Sequence, residues 1–174
     1  MSTLKWPTFD LPWSLQNILV MDYHLAKNGI KCGNPAKCPI DTIVDDYIKE
    51  TSTIVLHPKM SLYEATAGSL KDYINNKLGE LLYPIEKPDY KEVYEQQTVS
   101  KSVGIVHLLR LLAQFPKFVV LSNFKQREYD IVVEGIKHFI EYLNRHWENY
   151  YWGAEDYENV SEERFWEVVE SFAN

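Results

Sequence analysis

Apolar residues recur along this chain at the spacing of an α-helix, and the pattern predicts an all-α fold. Candidate caps and helix-stopping residues divide the pattern into six main helices. Asp41 and Ser161 are the expected N-caps of the second and last helices, and Pro116 is expected to end the fourth. Residues 29–39 leave room for one short N-terminal β-hairpin at most. The six helices are expected over residues 13–27, 41–50, 61–78, 103–115, 125–147 and 161–174.

The fourth predicted helix reads VGIVHLLRLLAQF and is apolar on nearly every side. Such a helix must be surrounded by other elements, so we expect a single compact helical domain of about five to seven helices around it. Its polar side chains, His107, Arg110 and Gln114, recur at i, i+3 and i+7. Burying an arginine beside a histidine is costly unless other groups pair with them. We therefore predict that His107 and Arg110 belong to a structural polar network in the core.

Composition narrows the range of functions. The 174 residues are 45% hydrophobic, which suffices for one core, with residues 1–10 expected as a tail and residues 11–174 as the domain. The 18 basic and 25 acidic residues leave a formal net charge of −7, which disfavours direct binding to nucleic acid or anionic lipid. No stretch approaches the ~20 apolar residues that span a bilayer. A soluble, intracellular protein is expected.

The residues able to carry chemistry form no catalytic or metal-binding pattern, and no cofactor is predicted. Cys32 and Cys38 lack the additional ligands that zinc needs, so two free thiols are expected. Glu134, His138 and Glu141 follow i, i+4, i+7 spacing, but we expect them on the solvent face of their helix, in surface pairs at i, i+4. A small helical enzyme is therefore the less favoured alternative.

A run of aromatic residues supports a different alternative. Trp147, Tyr150, Tyr151 and Trp152 lie at the exit of the fifth predicted helix. Aromatic cages hold methylated lysine by cation–π attraction, so a methyl-lysine or histone reader is a second candidate function. Rings in such a position more often cap the core.

The first predicted helix carries more apolar surface than one neighbouring element covers. Its apolar and aromatic residues span roughly 200° of the helix circumference, about twice the usual core-facing stripe. Either the helix is wedged between two layers of its own domain, or the edge formed by Leu15, Leu19 and Tyr23 lies open as a docking groove.

Five ordered segments resemble the signature segments of the MRG domain, the C-terminal module of the mortality-factor-related chromatin proteins. Each segment alone is weak, but their order and spacing agree across nearly the whole chain. The resemblance implies a helical nuclear adaptor and not a catalyst. The segments are LPWSLQNILVMDY (11–23), NPAKCPIDTIVDDYI (34–48), LGELLYPIEKPDY (78–90), VGIVHLLRLLAQFP (103–116) and GAEDY (153–157).

The resemblance also implies a type of partner. Domains of this family hold together histone acetyltransferase and deacetylase assemblies, or a dosage-compensation complex, by binding short segments that commonly contain Phe-x-Leu-Pro in a hydrophobic groove. Motif positions, together with Leu15 from the open edge, assign eight residues to partner binding. They are Leu11, Leu15, Leu19, Val20, Tyr23, Tyr83, Ala113 and Gln114.

Three of these residues depart from the family pattern. Tyr23 stands where tryptophan is frequent, and Ala113 and Gln114 stand where a larger apolar residue followed by a basic one is often found. A shallower and less cationic pocket is expected. Residues 9–12 read Phe-Asp-Leu-Pro and so contain the partner motif itself. They either staple the first helix to its own domain or enter a groove of this chain or of another copy.

Overall fold

A computed structural model of the chain describes residues 10–55, 57–91, 99–121 and 124–171. Seven α-helices form within these residues, and the predicted all-α fold is confirmed. The predicted tail lies outside the described residues except for Asp10. The helices are α1 (Trp13–Lys27), α2 (Ile40–Ile54), α3 (His57–Leu81), α4 (Val99–Ser102), α5 (Ile105–Leu121), α6 (Gln126–His146) and α7 (Glu162–Glu170), with 3₁₀ turns at Trp147–Asn149 and Gly153–Asp156.

Helix α5 is the central helix of the core, as its apolar sequence predicts. Residues 105–112 are buried on every side, and α5 packs against α1, α2 and α3. Together with buried residues of α6 and α7, these elements form one hydrophobic cluster. Among the described residues, no helix combines the length and the apolar character needed to cross a membrane.

Several predicted helix boundaries are wrong. Helix α2 extends to Ile54 and α3 to Leu81, past their predicted ends at residues 50 and 78, and α7 ends at Glu170, four residues before its predicted end. Helix α5 continues through Pro116 to Leu121, because Phe115 and Phe118 are both buried and both contact the ring of Tyr73 on α3. Burial on both sides of the proline outweighs the loss of one backbone donor. Helix α3 begins at His57, four residues before its predicted start, since Met60 and Tyr63 already anchor this first stretch in the core.

The predicted N-caps have different outcomes. Ser161 caps α7, because its Oγ accepts a hydrogen bond from the backbone N–H of Arg164 at 3.1 Å. Asp41 is not an N-cap: α2 already begins at Ile40, and Asp41 lies in its first turn, 3.1 Å from Nζ of Lys71. Its carboxylate there still favours the helix N-terminus electrostatically.

The predicted β-hairpin does not form within residues 29–39. That stretch instead makes one isolated antiparallel bridge, between Cys32 and Tyr157. Two backbone hydrogen bonds flank the bridge, from Gly33 N–H to Asp156 at 2.8 Å and from Glu158 N–H to Lys31 at 2.9 Å. The extended backbone pairs with a segment more than a hundred residues away, which no local pattern can predict.

Candidate functional site

Helix α1 lies at the surface with one face buried and the opposite face open. Leu15, Ile18 and Leu25 are buried, whereas Val20 and Tyr23 are 51% and 43% exposed. Leu15 is 0% exposed, so its predicted place on the open edge is wrong: it faces the core cluster, and the open edge begins at the half-buried Leu19.

A hollow of about 290 Å³ lies along one flank of α1. We call it the tyrosine groove. It is lined by Tyr23, Ala26 and Lys27 of α1 and by residues 83–85 of the turn that follows α3. The rings of Tyr23 and Tyr83 meet edge to face with centroids 6.0 Å apart. Nζ of Lys27 lies 4.5 Å from the centroid of the Tyr23 ring. Two residues assigned to partner binding, Tyr23 and Tyr83, are thereby brought together.

The other residues assigned to partner binding are more dispersed. Leu11 is buried beside the start of α1. Val20 lines a separate hollow on the opposite flank of α1. Ala113 is exposed and Gln114 half-buried on α5, and neither lines the tyrosine groove.

A buried charge network lies directly beneath the tyrosine groove, with Arg110 at its centre. Its guanidinium contacts Asp22 Oδ2 through Nη2 at 2.7 Å and donates to Glu86 Oε1 at 2.5 Å and to the carbonyl of Leu81 at 3.1 Å. The Tyr83 ring packs over the guanidinium, 4.0 Å from Cζ to the ring centroid. Such cation–π contacts are strongest where water is excluded.

Glu86 and Asp22 complete the network. Glu86 accepts a bond from the backbone N–H of Tyr83 at 2.9 Å, and its other oxygen lies 2.9 Å from Nε2 of His107. Asp22 accepts a bond from the Tyr157 hydroxyl at 3.1 Å. The network therefore ties α1, the turn that carries Tyr83 and α5 together, and so sets the spacing of the groove's two tyrosine rings.

Sequence reasoning missed both carboxylates, although one signal was present. On a helical wheel, Asp22 is seven residues from Leu15 and so lies inside the apolar arc of α1. A charged residue at such a position needs a buried partner of opposite charge. Glu86 lies in the proline-rich turn after α3, where no periodicity marks it as buried.

The MRG family model matches residues 2–159 of the chain. This chain belongs to the MRG family. It is similar to Mortality factor related protein 1 of Caenorhabditis elegans, with 28% identity across 90% of this chain and 58% of that protein.

Two further relatives carry names that refer to the NuA4 complex or to chromatin modification. The NuA4 complex subunit EAF3 homolog of Dictyostelium discoideum is 28% identical across 81% of this chain and 37% of its own length. Chromatin modification-related protein EAF3 of Kluyveromyces lactis is 29% identical across 76% of this chain and 39% of its own length. This MRG-family chain therefore spans between 37% and 58% of the length of these three relatives.

Burial and the neighbouring charges together shift the pKa values of Glu86, Asp22 and His107. Burial alone would raise the pKa of Glu86, but the hydrogen bond from His107 and the charge and hydrogen bond of Arg110 outweigh it and lower that pKa to about 2. Burial raises the pKa of Asp22 despite Arg110. Burial and the charge of Arg110 lower the pKa of His107, so at neutral pH it is an uncharged donor to Glu86.

Acid should destabilise the MRG fold through this network. Because the pKa of Glu86 falls from 4.5 to about 2 on folding, its stabilising contribution is complete above pH 4.5 and is lost as the pH falls towards 2. At one pKa unit per about 1.4 kcal/mol, this loss is about 2 kcal/mol between pH 7 and pH 3. His107 adds a loss below its ordinary value of 6.5, and Asp22 acts with the opposite sign. Urea unfolding at pH 7 and pH 3 measures the change.

The matched control for this prediction is Glu86→Gln, which keeps the shape of the side chain but removes its ionisation. Its free energy of unfolding should fall by about 2 kcal/mol less than that of the wild type over the same pH interval. Parallel pH profiles for the two proteins would contradict the assignment of the acid sensitivity to Glu86.

Three members of this region also lie close enough together to suggest a metal site. The ligand atoms of Cys32, Glu86 and His107 lie within 4.8 Å of one another. However, both oxygens of Glu86 already accept hydrogen bonds, and the guanidinium of Arg110 supplies the positive charge at this position. Burial raises the pKa of the Cys32 thiol well above its usual value, which keeps it protonated. The arrangement is a salt-bridged core network.

The acidic and histidine residues of α6 do not converge on a site. His138 is not on the solvent face: its Nδ1 lies 2.6 Å from the Tyr47 hydroxyl, and its ring stacks on Tyr63 at 3.8 Å. The expected pairs at i, i+4 are also wrong, since Glu134 pairs with Lys59 of α3 at 3.2 Å and Arg145 pairs with Glu50 of α2 at 3.3 Å. Because α2 and α3 pack against α6, Lys59 lies closer to Glu134, and Glu50 closer to Arg145, than the residue one helical turn away on α6.

The four aromatic residues after α6 do not form one open cage. Tyr150 and Tyr151 are buried, and the Tyr150 hydroxyl bonds the Tyr142 hydroxyl at 2.5 Å and donates to Asp46 at 3.0 Å. Trp147 is half-buried, and Trp152 is the one exposed ring of the four, at 44%. Two of the four rings thus belong to the core.

Proposed function

We propose that this chain is a non-catalytic nuclear adaptor that binds short hydrophobic segments of the Phe-x-Leu-Pro type and scaffolds histone acetyltransferase or deacetylase complexes. Membership of the MRG family and the names of its relatives, which refer to the NuA4 complex and to chromatin modification, support this proposal. The single observation that carries it is the tyrosine groove, an open apolar hollow on α1 with the Tyr23 and Tyr83 rings in contact.

The groove's chemistry suits such a segment. Burying a phenylalanine or leucine anchor contributes about 1.5–3 kcal/mol each, and edge-to-face contacts with tyrosine rings add to this. The proline of the motif reduces the ordering cost of the bound peptide. Lys27 lies beside the Tyr23 ring and provides a cation at the rim, so an acidic residue next to the motif would be favoured.

The copy of the motif within this chain is a weak candidate for the occupant. Leu11 is buried, its carbonyl accepts a hydrogen bond from Gln16 at 2.6 Å, and the carbonyl of Pro12 accepts bonds from the first turn of α1. Phe9 lies outside the described residues. Leu11 and Pro12 are thus already used to start α1, and we propose that a partner protein supplies the bound segment.

Tyr23→Ala tests the proposal. We expect it to weaken binding of a Phe-x-Leu-Pro peptide by about tenfold or more, because it removes one wall of the groove. The fold should persist, since the Tyr23 ring is nearly half exposed. Isothermal titration measures the affinity, and circular dichroism checks the fold.

Trp13→Ala is the matched control, because Trp13 is a 77% exposed aromatic residue of the same helix that does not line the groove. It should bind the peptide like the wild type. Leu19→Ala provides a second variant at the open edge. Unchanged affinity in both Tyr23→Ala and Leu19→Ala would rule the tyrosine groove out as the binding site.

A further inference from the structure

The tyrosine groove is lined by a single charged side chain. Among the lining residues that the structure describes, Lys27 alone carries a charge at neutral pH. It is the last residue of α1 and is exposed. A charge on a bound segment would therefore meet Lys27 at the rim. The other lining residues are Tyr23, Ala26, Tyr83, Pro84 and Ile85.

The ammonium of Lys27 lies over one of the groove's two rings. Lys27 and Tyr23 are four residues apart and so share a face of α1. Nζ of Lys27 is 4.5 Å from the centroid of the Tyr23 ring. An apolar anchor that covers this side of the ring must displace the ammonium or enclose it.

The charge of Lys27 has no carboxylate partner within the part of the chain that the structure describes. Five other lysines do form ion pairs with carboxylates. The two carboxylates beneath the groove, Asp22 and Glu86, are both held by Arg110. The ammonium at the rim is therefore available to a carboxylate that a ligand brings.

Two nearby basic groups, His24 and Arg110, do not add to this charge. Burial, together with the charge of Lys27, lowers the pKa of His24, so its imidazole is uncharged at neutral pH. The guanidinium of Arg110 is buried behind the Tyr83 ring, and its charge is already paired within the network. A ligand in the groove thus meets the charge of Lys27.

We propose that Lys27 is a charge filter, which closes the tyrosine groove to segments that lack an acidic residue beside their apolar anchor and admits segments that have one. This inference rests on the proposed function of the groove. A neutral segment that covers the Tyr23 ring removes the cation–π contact and part of the hydration of the ammonium. An aspartate or glutamate of the segment compensates by pairing with Lys27, whereas a lysine or arginine is repelled.

The formal net charge of the whole chain acts in the opposite direction. At −7, it favours a basic segment over an acidic one. Physiological salt screens this field over about 8 Å, whereas a carboxylate paired with Lys27 lies well inside that distance. A preference for acidic segments therefore indicates the local effect of Lys27, and a preference for basic segments indicates net charge alone.

Three peptides of the Phe-x-Leu-Pro type test the proposal. They differ only at x and at the two residues that flank the motif, which are all aspartate, all serine or all lysine. In isothermal titration at physiological salt, the wild type should bind the aspartate peptide about three- to fivefold more tightly than the serine peptide, and the lysine peptide most weakly. Equal affinities, or tightest binding of the lysine peptide, would overturn the proposal.

Substitutions of Lys27 in the full chain assign the preference. Lys27→Met keeps an unbranched stem without the charge, so it should remove the preference for aspartate over serine and bind the serine peptide about twofold more tightly than the wild type does. Lys27→Arg restores a cation and should keep the order of the three peptides. Lys49→Met, at an exposed position of α2 outside the groove, is the matched control and should behave like the wild type. An unchanged order in Lys27→Met, or weaker binding of the serine peptide, would overturn the proposal.

Failure of the charge filter can be told apart from failure of the proposed function. If Tyr23→Ala weakens all three peptides but Lys27→Met leaves their order unchanged, the groove binds such segments and only the role of Lys27 is wrong. If none of the peptides binds the wild type, the proposed function fails and the charge filter fails with it. Circular dichroism of each variant checks that the fold persists.

Discussion

Replacing Arg110 with methionine is expected to lower the free energy of unfolding by about 3–5 kcal/mol, the cost of breaking a buried ion pair from one side. Methionine keeps most of the side-chain volume but removes every donor. Asp22 and Glu86, both buried, would then face each other without the intervening cation, and the carbonyl of Leu81 would lose its donor. The Tyr83 ring would also lose its packing surface.

Urea unfolding at pH 7 measures this loss. Lys71→Met is the matched control, because the side chains of Lys71 and Asp41 are 30% and 24% exposed, and an ion pair that water still reaches contributes about 1 kcal/mol or less. Adding Asp22→Asn to Arg110→Met removes one unpaired charge and should recover part of the stability. If Arg110→Met costs no more than Lys71→Met, the network does not hold α1 and α5 together.

Gly135→Ala should lower the free energy of unfolding by about 3 kcal/mol. A Cβ at Gly135 on α6 would lie 2.0 Å from Oγ1 of Thr66 on α3 and 2.9 Å from its Cβ. Rotation of the threonine moves Oγ1 but leaves its Cβ in place, so the two helices themselves would have to separate. The alanine's better helix propensity, about 1 kcal/mol, is too small to compensate.

Gly68→Ala provides the control for this substitution within the same pair of helices. Gly68 lies on α3 with no atom within 4 Å of its would-be Cβ, so alanine there should raise the free energy of unfolding by roughly 0.5–1 kcal/mol through helix propensity alone. Thermal or urea unfolding of both variants gives the comparison. A neutral Gly135→Ala would show that α3 and α6 do not approach as closely as described.

Much of the fold could be predicted from periodicity, and the exceptions have a common cause. The central position of α5 follows from its apolar residues on all sides, since such a helix has no stable exposed arrangement. The predicted end at Pro116 and the predicted start at residue 61 relied on local signals. Contacts between Tyr73 and Phe118, on different helices, outweigh the first signal, and the burial of Met60 and Tyr63 outweighs the second.

The candidate site could be predicted only in part. Motif resemblance pointed to Tyr23 and Tyr83, which the fold brings into contact, but it could not show that Leu15 is enclosed or that Val20 faces a different hollow. A wheel shows how wide an apolar arc is. It does not show which parts of that arc other elements cover.

The order of apolar, proline and acidic residues was sufficient to establish an all-helical MRG fold with a buried centre, because helical spacing and motif order are properties of the chain itself. Only the folded chain decided what lies beside α1. The turn carrying Tyr83, the 3₁₀ turns and α7 come from distant parts of the chain, and their packing leaves α1 open on two flanks. It also brings Asp22 and Glu86 to Arg110, because a buried charge selects its partners in space and leaves no local pattern in sequence.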